Sequence, residues 1–215
     1  MKLALSTVTL FLFLFTFSTK ASGLRADTPE AVVDISGEEL KAGASYYVFP
    51  ATGGRGGLSF NTFGNDTCPH VVVQEWSELS KGKPVQFLPL NPENDAVFTS
   101  TNLNIKFSEM ISICVESGVW KITKRISEAR HVGTNGTAGA NQDFVNWFMI
   151  EKAETEGAYK LKFCPNAPYI VCQDLGIFYW GDDGKRYVGL ANPGEFEPLT
   201  VVFQKANDVN AVMSI

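Results

Sequence analysis

Short runs in which apolar and polar residues alternate dominate this chain, and a period of two is the mark of half-buried β-strands. The first, VVDISGEELKAGASYYV from Val32 to Val48, predicts a strand, a turn at Ser36-Gly37 and a second strand through Tyr46 and Val48. Further strands are predicted at Leu58–Phe60, Val71–Gln74, Pro84–Leu88, Leu103–Phe107 and Val119–Lys124, then at Trp147–Ala153, Tyr159–Cys164, Gly176–Trp180, Arg186–Leu190 and Leu199–Ala206. Gly181-Asp182-Asp183-Gly184 separates two of these and predicts a hairpin turn. Gly133 to Gln142 is a long turn of Gly, Asn, Thr and Ala. After the N-terminal apolar run, no segment sustains a helical period with caps, so the fold class is all-β, a barrel or a sandwich. Strand-turn-strand units recur over Val32–Cys68, Val71–Trp120 and Trp147–Phe203, which suits a barrel with pseudo-threefold symmetry.

The N-terminus changes the picture of where this fold works. Lys2, an apolar run from Leu3 to Phe17 and then Ala21-Ser22-Gly23 read as a signal peptide over residues 1–23, leaving a single domain over 24–215 whose last residues, 206–215, form a tail. The apolar run is too short to span a membrane comfortably, and no later one replaces it. An exported protein meets an oxidising compartment, so Cys68, Cys114, Cys164 and Cys172 are expected in two disulfides. Sequence alone allows three pairings. The short Cys164 to Cys172 spacing, with Pro165 and Pro168 inside it, suits a small closed loop, which leaves Cys68 for Cys114. Neither His70 nor His131 stands at metal-ligand spacing from a cysteine, so no metal and no cofactor are expected. A formal net charge of -5 without a large basic cluster argues against nucleic acid as a partner.

Candidate chemistry concentrates in one loop. Between the strands Pro84–Leu88 and Leu103–Phe107 lies the polar segment Asn91-Pro92-Glu93-Asn94-Asp95, in which Pro92 fixes a backbone angle and the small polar residues favour turns. A stiff loop between two anchored strands is a common way to present a binding segment. The glycines of ATGGRGGLSF, Gly53, Gly54, Gly56 and Gly57, precede strand-like Leu58-Ser59-Phe60 rather than a helix, so they read as a close backbone crossing and not as a phosphate cradle. Asn65-Asp66-Thr67 and Asn135-Gly136-Thr137 are N-glycosylation acceptors. No nucleophile elbow is present and the two histidines lack a recognisable nucleophile partner, so the chain is not expected to be an enzyme.

Several motifs together resemble the Kunitz soybean trypsin inhibitor family. They are Val32-x-Asp34-x-x-Gly37-x-x-Leu40 before Tyr46-Tyr47-Val48, Gly56-Gly57-Leu58, Cys68-Pro69 before Val-Val-x-Gln, and Tyr159-Lys160-Leu161-x-Phe163-Cys164-Pro165. Cys172-x-Asp174-x-Gly176-Ile177 and Val202-Phe203-x-Lys205 extend the likeness over essentially the whole mature chain. Leu88-Pro89-Leu90-Asn91-Pro92 and Ser100-Thr101-x-Leu103-Asn104-Ile105 resemble its miraculin-like branch. The resemblance implies a β-trefoil of about twelve strands, the disulfides Cys68–Cys114 and Cys164–Cys172, and a monomeric plant defence protein, secreted or vacuolar, that blocks a protease reversibly. Two departures stand out: Ser36 replaces the family's preferred residue types, and Ala42 stands where trypsin-inhibiting members carry a loop-supporting Asn.

The implied inhibitory loop is Leu88, Pro89, Leu90, Asn91, Pro92, Glu93 and Asn94, and no Lys or Arg occurs from Pro84 to Ile105. Counting forward from Cys68 puts the specificity position on Pro92, and counting back from Lys106 puts it on Glu93. A trypsin-like pocket ends in a buried carboxylate, which repels Glu and gains nothing from Pro, so strong trypsin inhibition is not expected. Leu88 and Leu90 suit an apolar pocket, yet each precedes a proline. A second candidate loop is the basic run Lys121 to His131, where Lys124, Arg125 and Arg130 can meet an acidic protease surface, including that of a cysteine protease. The expected partner is therefore an extracellular or vacuolar protease of the serine or cysteine class. The alternative is a non-inhibitory storage, taste-modifying or carbohydrate-binding β-trefoil, and the triplet Gln74-Glu75-Trp76, which marks each repeat of lectin-like trefoils, occurs here once.

Overall fold

The computed structural model describes residues 28–123, 130–139, 144–165, 171–190, 196 and 199–206. The proposed signal peptide at 1–23 and the tail at 207–215 lie outside the described residues. Among the described residues twelve strands follow one another: β1 (Ser45–Pro50), β2 (Leu58–Thr62), β3 (His70–Gln74), β4 (Val85–Pro89), β5 (Leu103–Phe107), β6 (Lys121–Ile122), β7 (Val132–Gly133), β8 (Phe148–Lys152), β9 (Tyr159–Phe163), β10 (Gln173–Tyr179), β11 (Arg186–Leu190) and β12 (Thr200–Lys205).

Six of them close a barrel in the cyclic order β1-β4-β5-β8-β9-β12, every neighbouring pair antiparallel and β12 returning to β1. Closure leaves the barrel without a free edge, which removes the usual route to edge-to-edge aggregation. The other six form hairpins β2–β3, β6–β7 and β10–β11. Their inner strands contact one another in a cycle: Val71 pairs with Gly133, Tyr187 with Val73, and His131 bridges Gly189. Each barrel pair with its hairpin is one unit, so the pseudo-threefold repeat runs β1–β4, β5–β8 and β9–β12, the arrangement of a β-trefoil. The blocks expected from sequence straddle these units, because β6 and β7 are two residues each and carry too little pattern to mark a boundary.

Alternation explains the barrel's filling. Tyr46 and Val48 from β1, Val85 and Phe87 from β4, Phe148 and Ile150 from β8, Tyr159, Leu161 and Phe163 from β9, and Val201 and Phe203 from β12 all turn inward. Each buried aliphatic or aromatic side chain contributes about 1.5–3 kcal/mol relative to exposure. A second, smaller cluster of Phe63, Val71, Val73, Phe178 and Tyr187 fills the space between the β2–β3 and β10–β11 hairpins. The segment before β1 departs from expectation: the Ser36-Gly37 turn is present, but the first predicted strand is reduced to isolated bridges, Ala31 with Phe98 and Val33 with Glu39. Gly56 and Gly57 do mark a close crossing, since a Cβ on either would lie within 2.4 Å of the carbonyl oxygens of Ser77 or Lys81.

Candidate functional site: the loop between the fourth and fifth strands

Five register pairs, from Val85 with Phe107 to Pro89 with Leu103, hold the β4–β5 hairpin, and Leu90 N–H donates to the Asn102 carbonyl at 2.9 Å to extend it by one step. Leu88 and Pro89 therefore belong to the strand and are half-buried, whereas Leu90, Asn91, Pro92 and Glu93 are exposed and Asn94 is half-buried. Pro92 and Glu93 form the apex of a closed turn: Asn94 N–H donates to the Asn91 carbonyl at 3.2 Å, and Glu93 N–H donates to Asn91 Oδ1 at 3.1 Å. Asn91 and Pro92 are the residues such a turn favours, the first for its side-chain cap and the second for its preset φ.

Beyond the apex the chain is pinned to the segment that precedes β1. Ala42 N–H donates to the Asp95 carbonyl, Val97 N–H to the Leu40 carbonyl and Val32 N–H to the Val97 carbonyl, each at 2.9 Å. Val97 is fully buried and Ala96 nearly so, which ends the displayed loop at Asp95. Ala42 thus supports the loop through its backbone only. Beside the loop, Leu90, Ser100, Asn102, Met149, Cys164 and Pro165 line a shallow depression of about 350 Å³. Cys164 is bonded to Cys172, so this disulfide stands at the loop's side. Cys68–Cys114 brackets the same loop in sequence but lies beyond the other end of β5, where it ties the β2–β3 connection to the β5–β6 connection.

Of the second candidate loop, Lys124 and Arg125 lie outside the described residues. Arg130 is exposed, and its Nη2 donates to Gln173 Oε1 at 2.5 Å. The neighbouring His131 is buried with its ring stacked on Phe63 at 4.6 Å, and Nδ1 has no hydrogen-bond partner among the described residues. Burial without a counter-charge lowers its pKa from 6.5 to about 4. Asn65 and Asn135 are both exposed.

The structure also assembles a group that sequence spacing did not reveal. His70 Nδ1 lies 2.5 Å from Glu116 Oε1, and Ser112 Oγ lies 3.3 and 3.4 Å from the two ring nitrogens. A serine activated by histidine sits on the lone pair of one nitrogen; a hydroxyl nearly equidistant from both is aligned with neither. Ser112 Oγ instead accepts the Cys114 N–H at 2.9 Å. Cys114 is also close to His70 and Glu116, but its sulfur is committed to Cys68 and supplies no thiolate for a metal. The group is a clamp that fixes the β5–β6 connection to β3. The Gln74-Glu75-Trp76 triplet is likewise engaged within the fold: Gln74 Oε1 accepts from Arg186 Nε at 2.9 Å and Nη2 at 2.8 Å, and Trp76 Nε1 donates to the Gly184 carbonyl at 2.6 Å.

The fold and the site together are a closed trefoil barrel that displays a short turn pinned from behind by the segment preceding β1. Residues 32–205 match the model of the legume Kunitz family, described as trypsin and protease inhibitor. The chain belongs to that family. It is 35% identical over 185 residues to Kunitz trypsin inhibitor 5 of Arabidopsis thaliana, covering 82% of this chain and 86% of that one. Miraculin of Synsepalum dulcificum is 36% identical, with 79% and 82% covered. Among solved structures, the complex of porcine pancreatic trypsin with soybean trypsin inhibitor superimposes with a TM-score of 0.70 at 29% identity, covering 83% of this chain and 100% of that chain.

Proposed function

We propose that this protein is a reversible protease inhibitor that contacts its target through the displayed part of the Leu88–Asn94 loop, and that trypsin is not that target. The observation that carries the reading is the exposed apex Leu90-Asn91-Pro92-Glu93, held by Asn91 on one side and by the Ala42–Asp95 bond on the other. A loop ordered before binding loses little conformational entropy on docking, which is the basis of inhibition by a preformed segment. Glu93 at the apex is repelled by the carboxylate of a trypsin-like pocket, and Pro92 fills none. Substrate-like entry also requires the Asn91–Asn94 bond to open, at about 1 kcal/mol, so inhibition through this loop is weaker than that of an already extended one. The closed turn therefore keeps a second reading in play, a non-inhibitory storage or taste-modifying protein.

The partner class is a serine or cysteine protease, met outside the cell or in a vacuole by a monomer that carries glycans on Asn65 and Asn135 and has no catalytic activity of its own. Arg130, with Lys124 and Arg125, is the second contact to test. The deciding experiment is a panel of trypsin, chymotrypsin, elastase, subtilisin, papain and an aspartic protease, assayed with the protein and with a variant in which Leu90, Asn91 and Glu93 are alanine. Inhibition of one class that the variant loses supports the reading. Inhibition of none supports the storage reading, and tight inhibition of trypsin overturns the specificity argument.

A further inference from the structure

A cavity of about 530 Å³ lies between the β2–β3 and β10–β11 hairpins on one side and the barrel strands on the other. The hairpin wall holds Gln74 at the end of β3, with Arg186 opposite it in register and Tyr179 opposite Arg186. The barrel wall holds Glu154 and Thr155 in the β8–β9 turn, Lys160 on β9 and Thr200 on β12. Arg55 joins them from the β1–β2 connection. Arg186 Nε and Nη2 donate to Gln74 Oε1 at 2.9 and 2.8 Å, and Nη1 donates to the Tyr179 hydroxyl. These bonds fix the guanidinium plane and leave two of its N–H groups for another acceptor. Its carbon lies 5.5 Å from the centre of the Trp76 ring and 5.4 Å from that of Tyr179. The Arg55 guanidinium carbon lies 4.9 Å from the same Trp76 ring, and Arg55 Nη1 donates to the Gly54 carbonyl at 2.7 Å. No ion pair among the described residues includes either arginine. Two like charges therefore lean on one indole, oriented by aromatic rings and neutralised by no carboxylate.

We propose that this cavity binds a small acidic sugar, a disaccharide-sized molecule whose uronate carboxylate is held by Arg55 and Arg186. Three features select this ligand. The guanidinium fork matches a planar carboxylate, and a fork already fixed by Gln74 and Tyr179 loses little freedom on binding. The volume is that of a small-molecule pocket and far exceeds the needs of a lone inorganic anion, so the charge must come with a body. The remaining lining suits a hydroxylated body: Thr155 and Thr200 offer hydroxyls, Glu154 accepts from sugar hydroxyls, and Ile177 and Leu199 meet the C–H face of a ring. Glu154 also selects against a polyphosphate, whose negative charge runs along its whole length, because it is a carboxylate on the wall away from the arginines. The Gln74-Glu75-Trp76 triplet gains a role here, since Gln74 and Trp76 set the two guanidinium groups in place.

The site is separate from the first loop. The loop's depression includes Cys164, next to the Phe148–Phe163 register pair, whereas Glu154 and Thr155 follow the Lys152–Tyr159 pair at the other end of the same hairpin. The proposal rests on the cavity and not on the inhibitor reading. Isothermal titration calorimetry with cellobiouronate tests it, beside cellobiose, which lacks only the carboxylate, and beside inorganic phosphate and the acidic dipeptide glutamyl-glutamate. Cellobiouronate should bind at least about tenfold more tightly than each of the other three. Arg55→Gln and Arg186→Gln should each raise its dissociation constant at least about tenfold, and added salt should weaken binding. Arg186 is tied to Gln74, so Arg55→Gln is the cleaner variant: it should keep the melting temperature of the unaltered protein and leave any protease inhibition as it was. No heat with millimolar cellobiouronate, or an unchanged dissociation constant in Arg55→Gln, overturns the proposal. Equal binding of cellobiose does so too, because the arginines then read no carboxylate. Phosphate or the dipeptide bound as tightly as the uronate would make this a plain anion or peptide site, and the sugar assignment would fall. A protein that inhibits no protease yet binds cellobiouronate through Arg55 would refute the inhibitor reading alone.

Discussion

Acidification from pH 7 to 4.5 should destabilise the fold through one residue, His131. Its ring is buried between hairpins, stacked on Phe63 and without a carboxylate partner among the described residues, so the folded protein holds it neutral down to a pKa of about 4. In the unfolded chain the same ring titrates near 6.5. Between those values the unfolded state binds the extra proton, so stability is full above pH 6.5 and falls as the pH drops toward 4. The whole shift corresponds to about 3 kcal/mol, of which about 2 kcal/mol falls between pH 7 and 4.5. Carboxylates titrate in the same window, so the measurement is a difference: urea unfolding of the protein and of His131→Phe at both pH values. Phenylalanine keeps the stacked ring and cannot charge. With a urea slope of about 2 kcal/mol per M, the midpoint of the unaltered protein should fall about 1 M further than that of the variant on going to pH 4.5. Equal falls would mean that His131 is solvated or paired in the folded protein, and the burial argument would be refuted.

Three other outcomes bear on the first loop and its support. Glu93→Arg should create trypsin inhibition, since it replaces repulsion by a charge pair worth about 2–5 kcal/mol, at least about thirtyfold in the inhibition constant; no gain would move the specificity position to Pro92. Ala42→Asn should tighten binding to the first loop's target about fivefold and slow cleavage of the loop, by adding one side-chain hydrogen bond of about 1 kcal/mol behind Asp95. Unchanged kinetics would show that the amide does not reach the loop. Cys68→Ser/Cys114→Ser should lower unfolding free energy by about 4 kcal/mol and Cys164→Ser/Cys172→Ser by about 2.5 kcal/mol, following sequence separations of 46 and 8. Inhibition through Leu90 should nevertheless suffer more from the second pair, because Cys164 lines the same depression, and the reverse order would count against that placement.

The elements that were legible in the chain are those whose residues speak for themselves. Tyr159-Lys160-Leu161-Lys162-Phe163 alternates and becomes a strand buried on alternate residues, and Gly181-Asp182-Asp183-Gly184 becomes the β10–β11 turn. The first-loop apex is also local, since Asn91 caps a turn that Pro92 pre-bends. The strand predicted from Val32 makes only a local bridge across the Ser36-Gly37 turn, Val33 with Glu39, while the segment's other partners, Val97 and Phe98, lie far along the chain, and its role as a brace behind the loop exists only after the barrel closes. The same holds more strongly for Ile111 to Val115. Alternation there predicts one buried and one open side, and propensity alone would bury the isoleucines. The clamp decides otherwise. His70 reaches Ser112 and Glu116 across more than forty residues, Cys68 closes on Cys114, and these long-range bonds turn the polar side of the segment inward. Period-two patterning fixes which residues share a side but not which side faces water, and where a covalent bridge sets that orientation, the apolar side is the one left in water.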